Sequence, residues 1–229
     1  MPRGPLAVRW LAYEPARVEA GRRGHWRIWF ENAGGAPWRE LKLSYHWLDE
    51  RGNAIVWDGI RTDVAATDRG EAVAVEPEVR APIPPGRYRL AFDLVVEHRF
   101  WLVELGNEPL EVEVDVEPRD ASAAVAHLPP EVEPAADWHE RVRAAHEEGY
   151  AAVGGSIEGR RLPPELAAYA PAGGRNPSFD APLVCPSLLP PLEPNDAVAG
   201  LPAWRPEGGE PWLYDGRIRA RLRSGRRPG

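Results

Sequence analysis

Cysteine, methionine and lysine are close to absent from this 229-residue chain, which holds one of each: Cys185, Met1 and Lys42. A single cysteine excludes an intramolecular disulfide and a cysteine-built zinc site, and it fits a reducing, cytoplasmic setting. With Lys42 the sole lysine, the Gly154-Gly155 pair has no lysine beside it for a phosphate-cradling loop, and it lacks the glycine spacing of a dinucleotide turn. No apolar run reaches the length of a membrane span, and the first residues lack the apolar stretch of a signal peptide. Bases are outnumbered by acids, 28 to 35, for a net charge of −7, a balance that disfavours nucleic acid as a partner. Asp-x-Asp, HExxH and GxSxG are all missing, and with them the sequence marks of metal-dependent nucleotide-sugar transfer, zinc proteolysis and the nucleophile elbow.

What is present is a core-forming half and a chain-breaking half. Hydrophobic residues make up 43% of the chain, enough for a globular interior. Residues 1–118 hold seven of the ten tryptophans, whereas 119–229 hold sixteen of the 26 prolines. The first half alternates with period two. In 25–31, Trp26, Ile28 and Phe30 share a face; in 41–48 Leu41, Leu43, Tyr45 and Trp47 do; in 88–97 Tyr88, Leu90, Phe92, Leu94 and Val96; in 110–117 Leu110, Val112, Val114 and Val116. Shorter strands are expected at 6–12, 54–57 and 72–79. Turn chemistry at 32–35, 49–53 and 84–86 separates them. Tyr88, just after Pro85-Gly86, suits a tyrosine corner, its hydroxyl bonding back to the backbone. The fold expected is mainly β: an immunoglobulin-like antiparallel β-sandwich over 1–118, with packing in place of a disulfide.

For 119–229 the expectation is a Pro-rich, mostly irregular segment. One short helix is predicted at 137–148, capped by Asp137, with Trp138, Val142 and Ala145 on one stripe and Gly149 as its stop. A short strand broken at Gly154-Gly155 follows. From 162 to 211 the chain is expected to run extended, and its apolar residues, among them Leu183, Val184, Leu188, Leu189, Trp204, Trp212 and Tyr214, to wrap onto the sandwich or onto a partner. The tail 217–229 holds six arginines and no acid, and is expected to fray.

The run Ser44-Tyr45-His46-Trp47-Leu48 with Gly52, then Val56-Trp57-Asp58-Gly59-Ile60-Arg61-Thr62, resembles a bacterial immunoglobulin-like module. Ala81-Pro82, Pro85-Gly86-Arg87-Tyr88-Arg89-Leu90, and Phe92-Asp93-Leu94-Val95-Val96-Glu97 with Trp101 continue the likeness over roughly 15–117. That module accompanies glycosyltransferases and methyltransferases of surface-polysaccharide gene clusters and is similar in architecture to sugar-recognising sandwiches of polysaccharide exporters. Two positions depart from it: Asp63-Val64 stands where a Leu-Pro pair is usual, and Arg69-Gly70 where a Pro-Gly turn is. The stretch 148–155 resembles sequences of the same glycosyltransferases without offering a catalytic residue. The resemblance implies a non-catalytic accessory module that binds glycan or docks a glycan-building enzyme. The alternatives are a glycosyltransferase or a fragment of one, with Asp93 or Glu97 paired to a carboxylate of 137–158, and a self-assembling structural protein forming homo-oligomers through edge strands and the arginine tail.

Candidate chemistry is sparse. Glu113, Asp115 and Glu117 alternate with valines and belong to a solvated strand face. His139 and His146 lie seven apart, too far for ligands one turn apart, and Cys185 sits among prolines and apolar residues as an inert thiol. No metal or cofactor is expected. The remaining signal is what the alternation leaves outside the core: Trp29, His46, Trp57, Asp58, Arg61, Asp93 and Glu97. Flat aromatic faces beside hydrogen-bonding groups suit sugar rings. The competing reading covers Trp29 and Trp57 with the Pro-rich half and pairs Arg61 with Asp93 or Glu97, since an apolar patch and an apolar wrapping segment in one chain usually meet. Exposure separates the two readings.

Overall fold

The computed structural model describes residues 4–122, 124, 132–158, 175–178 and 210–223. It divides into two compact units, Met1–Glu117 and Pro118–Gly229, and the protein is mainly β. Cys185, Leu183, Val184, Leu188, Leu189, Trp204, nearly all of the extended run expected at 162–211, and the end of the arginine tail lie outside the described residues.

The first unit contains β1 (Val8–Glu14), β2 (Arg23–His25), β3 (Arg27–Asn32), β4 (Leu41–Leu48), β5 (Ala54–Val56), β6 (Thr62–Asp63), β7 (Ala72–Val75), β8 (Glu78–Arg80), β9 (Gly86–Val96), β10 (Phe100–Trp101), a 3-10 helix (Leu102–Leu105) and β11 (Leu110–Val116). Strands β1, β3 and β7 form one sheet, and β10, β9, β4 and β5 a second, with β11 also on β9 and β6 on β4; β2 and β8 make a two-stranded ribbon. The frame of the large sheet is antiparallel, with Leu41 opposite Val96 and Leu48 opposite Arg89 in β4–β9, and Leu110 opposite Phe92 and Val116 opposite Gly86 in β9–β11.

Period-two alternation aims Ile28 and Phe30 of β3, Leu41, Leu43, Tyr45 and Trp47 of β4, and Leu90, Phe92 and Leu94 of β9 into one shared core. Trp26 meets Phe92 at 5.6 Å between ring centroids, and Phe30 meets Trp38 at 5.9 Å. Two polar handles tie the large sheet to β8: Trp47 Nε1–H donates to the Arg80 carbonyl at 2.8 Å, and the Tyr45 hydroxyl accepts from Arg80 N–H at 2.9 Å. Tyr88 donates its hydroxyl to the Pro84 carbonyl at 2.7 Å, the back-bond expected from its place after Pro85-Gly86.

One expectation fails in an informative way. The face of the large sheet turned away from this core is not solvated along β4 and β9: Ser44, His46, Ala91, Asp93 and Val95 are all buried. Loop 57–61 and segment 101–105 of the same unit fold over them.

The second unit contains β12 (Val132–Pro134), α1 (Trp138–Glu148), β13 (Ala152–Glu158), β14 (Arg175–Ser178) and β15 (Trp212–Leu222). The helix falls where its stripe predicted, and Gly149 ends it with φ 130°. Asp137 departs from expectation, since its carboxylate makes no cap bond and instead accepts from Arg141 Nε at 2.6 Å. The arginine-rich stretch also departs, as far as it is described. Among the side chains of β15 that are described, Arg217, Arg219 and Arg221 are exposed and alternate with buried Ile218 and Ala220, so period two places a strand where charge alone suggested a loose end. Gly154-Gly155 does not break β13 but shifts its register against β15 between Gly155 and Ser156. A Cβ on Gly155 would lie 2.2 Å from the Ile218 carbonyl oxygen, so only glycine fits this close approach. Within this unit β15 pairs with β13, β12 and β14.

Candidate functional site

His46 points away from the sandwich core on β4 and carries the site. Its ring stacks on Trp57 with centroids 4.3 Å apart and meets Trp101 at 4.4 Å. Burial lowers its pKa, so the neutral ring is the resting form. Its Nδ1–H donates to the Trp57 carbonyl, which leaves Nε2 a bare acceptor, buried and without a partner among the described residues. The stack fixes Trp57 on one side, while the indole remains 51% exposed. Within this unit the cover over His46 comes from loop 57–61 and Trp101, with the Trp57 indole at its outer side.

Arg61 holds these loops in place. Its Nε donates to Glu97 at 2.7 Å and its Nη1 to Ser44 Oγ at 2.7 Å and to the Gly59 carbonyl at 3.0 Å. Its Nη2 forms an ion pair with Asp58, and its guanidinium lies 4.7 Å from the centre of the Trp101 ring. The hydrogen bond from Arg61, aided by the charges of Lys42 and His98, holds the Glu97 carboxyl below the usual range. Beside this network opens a cavity of about 370 Å³, lined among others by Asp58, Arg61, Glu97, His98, Arg99, Trp101 and Glu104.

The residues singled out in the sequence therefore separate. His46, Trp57, Asp58, Arg61 and Glu97 come together. Trp29 does not: it lies on the outward face of β3 in the other sheet, with the Arg27 guanidinium 5.8 Å from its ring centre. Asp93 is consumed by the fold, 1% exposed, its oxygens accepting from Leu94 N–H at 2.8 Å and Val103 N–H at 3.2 Å. It tethers the 3-10 helix behind Trp101 and pairs with neither Arg61 nor solvent. Trp101, Glu104, His98 and Arg99 were not singled out as site residues. Trp101 was within reach, as it belongs to the pattern that the resemblance follows.

Desolvation outweighs the two backbone bonds and pushes the Asp93 carboxyl up to about 6. Between pH 4 and 6 the folded unit therefore holds a proton that the unfolded chain has released. Stability from this residue is full below about pH 4, falls as the pH rises to about 6 and is level above it, a change on the order of 3 kcal/mol. Urea unfolding at pH 4.5 and 6.5 should show Asp93→Asn losing this part of the pH dependence. An unchanged difference between the two pH values would refute the assignment.

Glu117 and Asp115 pair with Arg17 at 2.9 Å and Arg87 at 3.3 Å, as surface charges do. His139 stands edge-on to Trp138, and His146 Nδ1 bonds the Tyr150 carbonyl at 2.8 Å. Among the described residues no group of three or more His, Cys, Asp or Glu is placed to hold a metal, and no helix is long and apolar enough to cross a membrane.

No family model matches the chain, and no curated protein matches it. Among solved structures, it is similar to the C-terminal domain of wzt at 9% identity and TM-score 0.39, over 56% of this chain and 86% of that one. It is also similar to the CARDB domain of a Pyrococcus furiosus protein at 18% identity and TM-score 0.32, over 51% and 97%. The Pseudomonas fluorescens alkylpurine DNA glycosylase AlkC matches at 15% identity and TM-score 0.33, over 49% of this chain and 30% of its own.

Proposed function

We propose that this chain is a non-catalytic accessory protein of bacterial surface-polysaccharide synthesis, and that its first unit, an immunoglobulin-like sandwich, binds glycan at Trp57. The biosynthetic setting rests on the resemblance running through 44–101. The binding reading rests on one observation: a half-exposed indole held flat by a buried histidine, beside an arginine–carboxylate network and a cavity. A pyranose presents C–H faces to an aromatic plane and hydroxyl edges to hydrogen-bonding groups. The stack fixes that plane in advance, so little side-chain entropy is left to lose on binding.

Titrating the protein with bacterial oligosaccharides while following tryptophan fluorescence tests this. Trp57→Ala is expected to weaken binding by about tenfold or more while costing about 1–3 kcal/mol of urea stability, since half of the indole is exposed already, so the unit stays folded. A fluorescence signal that no oligosaccharide perturbs in the unmodified protein would remove the reading.

A further inference from the structure

The cavity beside Trp101 is bordered by an arginine, Arg99, that pairs with no acid among the described residues. Strands β9 and β10 are joined by residues 97–99, closed by Val96 opposite Phe100 and by Arg99 N–H donating to the Val96 carbonyl at 3.0 Å. His98 in this turn adopts φ 58°, a left-handed conformation that non-glycine residues seldom take and that sets the directions of successive side chains. The acids lining the cavity are engaged: Asp58 and Glu97 share Arg61, and Glu104 accepts from Trp101 N–H at 3.1 Å. The side chains of His98 and Arg99 have no hydrogen-bond or ion-pair partner among the described residues. The Arg99 guanidinium lies 5.7 Å from the centre of the Phe100 ring, which steadies it without using its N–H groups. A second cavity, of about 540 Å³, borders Lys42 and shares Glu97 and Arg99 with the first. Arg99 thus stands where two adjoining cavities meet, a place an extended ligand would cross.

We propose that the glycan bound at Trp57 and Trp101 is anionic and that its carboxylate or phosphate is received by Arg99, with His98 beside it. This rests on the glycan-binding reading above. A planar guanidinium whose N–H edges meet no acceptor among the described residues matches either anion in bidentate fashion, and a neutral sugar offers it no opposite charge.

Two matched pairs of probes test it: trigalacturonate against galactotriose, and cellobiose 6-phosphate against cellobiose. Within at least one pair the anionic member is expected to bind about tenfold tighter at low salt, and the preferred pair names the anion. Arg99→Gln should remove most of that preference while leaving the neutral member's affinity within about twofold, and raising the salt should shrink the preference in the unmodified protein. Equal affinities within both pairs, with Trp57→Ala still weakening them, would overturn the inference and leave glycan binding standing. A preference unchanged in Arg99→Gln would overturn it as well. Failure of all four probes to bind would count against both readings together.

Discussion

Arg61→Met is expected to destabilise the first unit by about 2–4 kcal/mol, read as a lower urea midpoint at an unchanged slope. The figure follows from what the guanidinium leaves behind. Asp58 and Glu97, each partly buried, lose their shared counter-ion, and the Gly59 carbonyl and Ser44 hydroxyl lose a donor. The side chain is 24% exposed, so water recovers part of this and the full cost of orphaning buried charges is not reached. Arg61→Lys should recover little, because an ammonium cannot serve Glu97, Asp58 and Ser44 from one planar fork or lie flat on Trp101. Loss of the Trp57–His46–Trp101 arrangement would show in near-ultraviolet circular dichroism. A free energy of unfolding that falls by less than about 0.5 kcal/mol would mean that the network is decorative.

Trp47→Ala should be worse, at about 3–5 kcal/mol, enough to unfold much of a domain of ordinary stability. Trp47 is fully buried, meets Tyr88 edge-on at 6.1 Å between centroids, and donates to the Arg80 carbonyl. Truncation opens a cavity in the centre of β4 and strands that carbonyl. Trp47→Phe keeps most of the apolar volume and isolates the hydrogen bond, so it should cost about 1–2 kcal/mol on the same scale. A cooperative transition within about 1 kcal/mol of the unmodified protein for Trp47→Ala would contradict the packing described.

Strong alternation explains which parts of the fold were legible. Leu41–Leu48 was read with its observed limits because four large apolar residues alternate there without interruption. The stretch 72–79 was read as one strand and is two, since Pro77 lacks the N–H a ladder needs; its carbonyl instead accepts from Trp26 N–H at 3.0 Å. β15 was missed because its arginines drew attention to charge, although Ile218 and Ala220 kept the beat.

The same rule explains the successes and failures at the site. Period two says which side of its own strand a residue faces, and so it put His46 and Glu97 outward, while Arg61 was placed in the bend after Trp57. It does not say which sheet the strand joins, a matter of pairing between distant segments, and so Trp29 was grouped with residues of the other sheet. Nor does it say whether outward means wet. Asp93 looked available until Leu102–Leu105 folded onto it, and that segment lies beyond the alternating run, as do His98 and Arg99.

The central place of β15 bears on how the protein is made. Strands β12, β13 and β14 find their partner in a segment that emerges from the ribosome after all three, so this sheet forms only when synthesis has passed Leu222. Until then those strands offer open edges to chaperones and to one another. The sandwich, with its last strand in hand at Val116, is free to fold while the rest is still being translated.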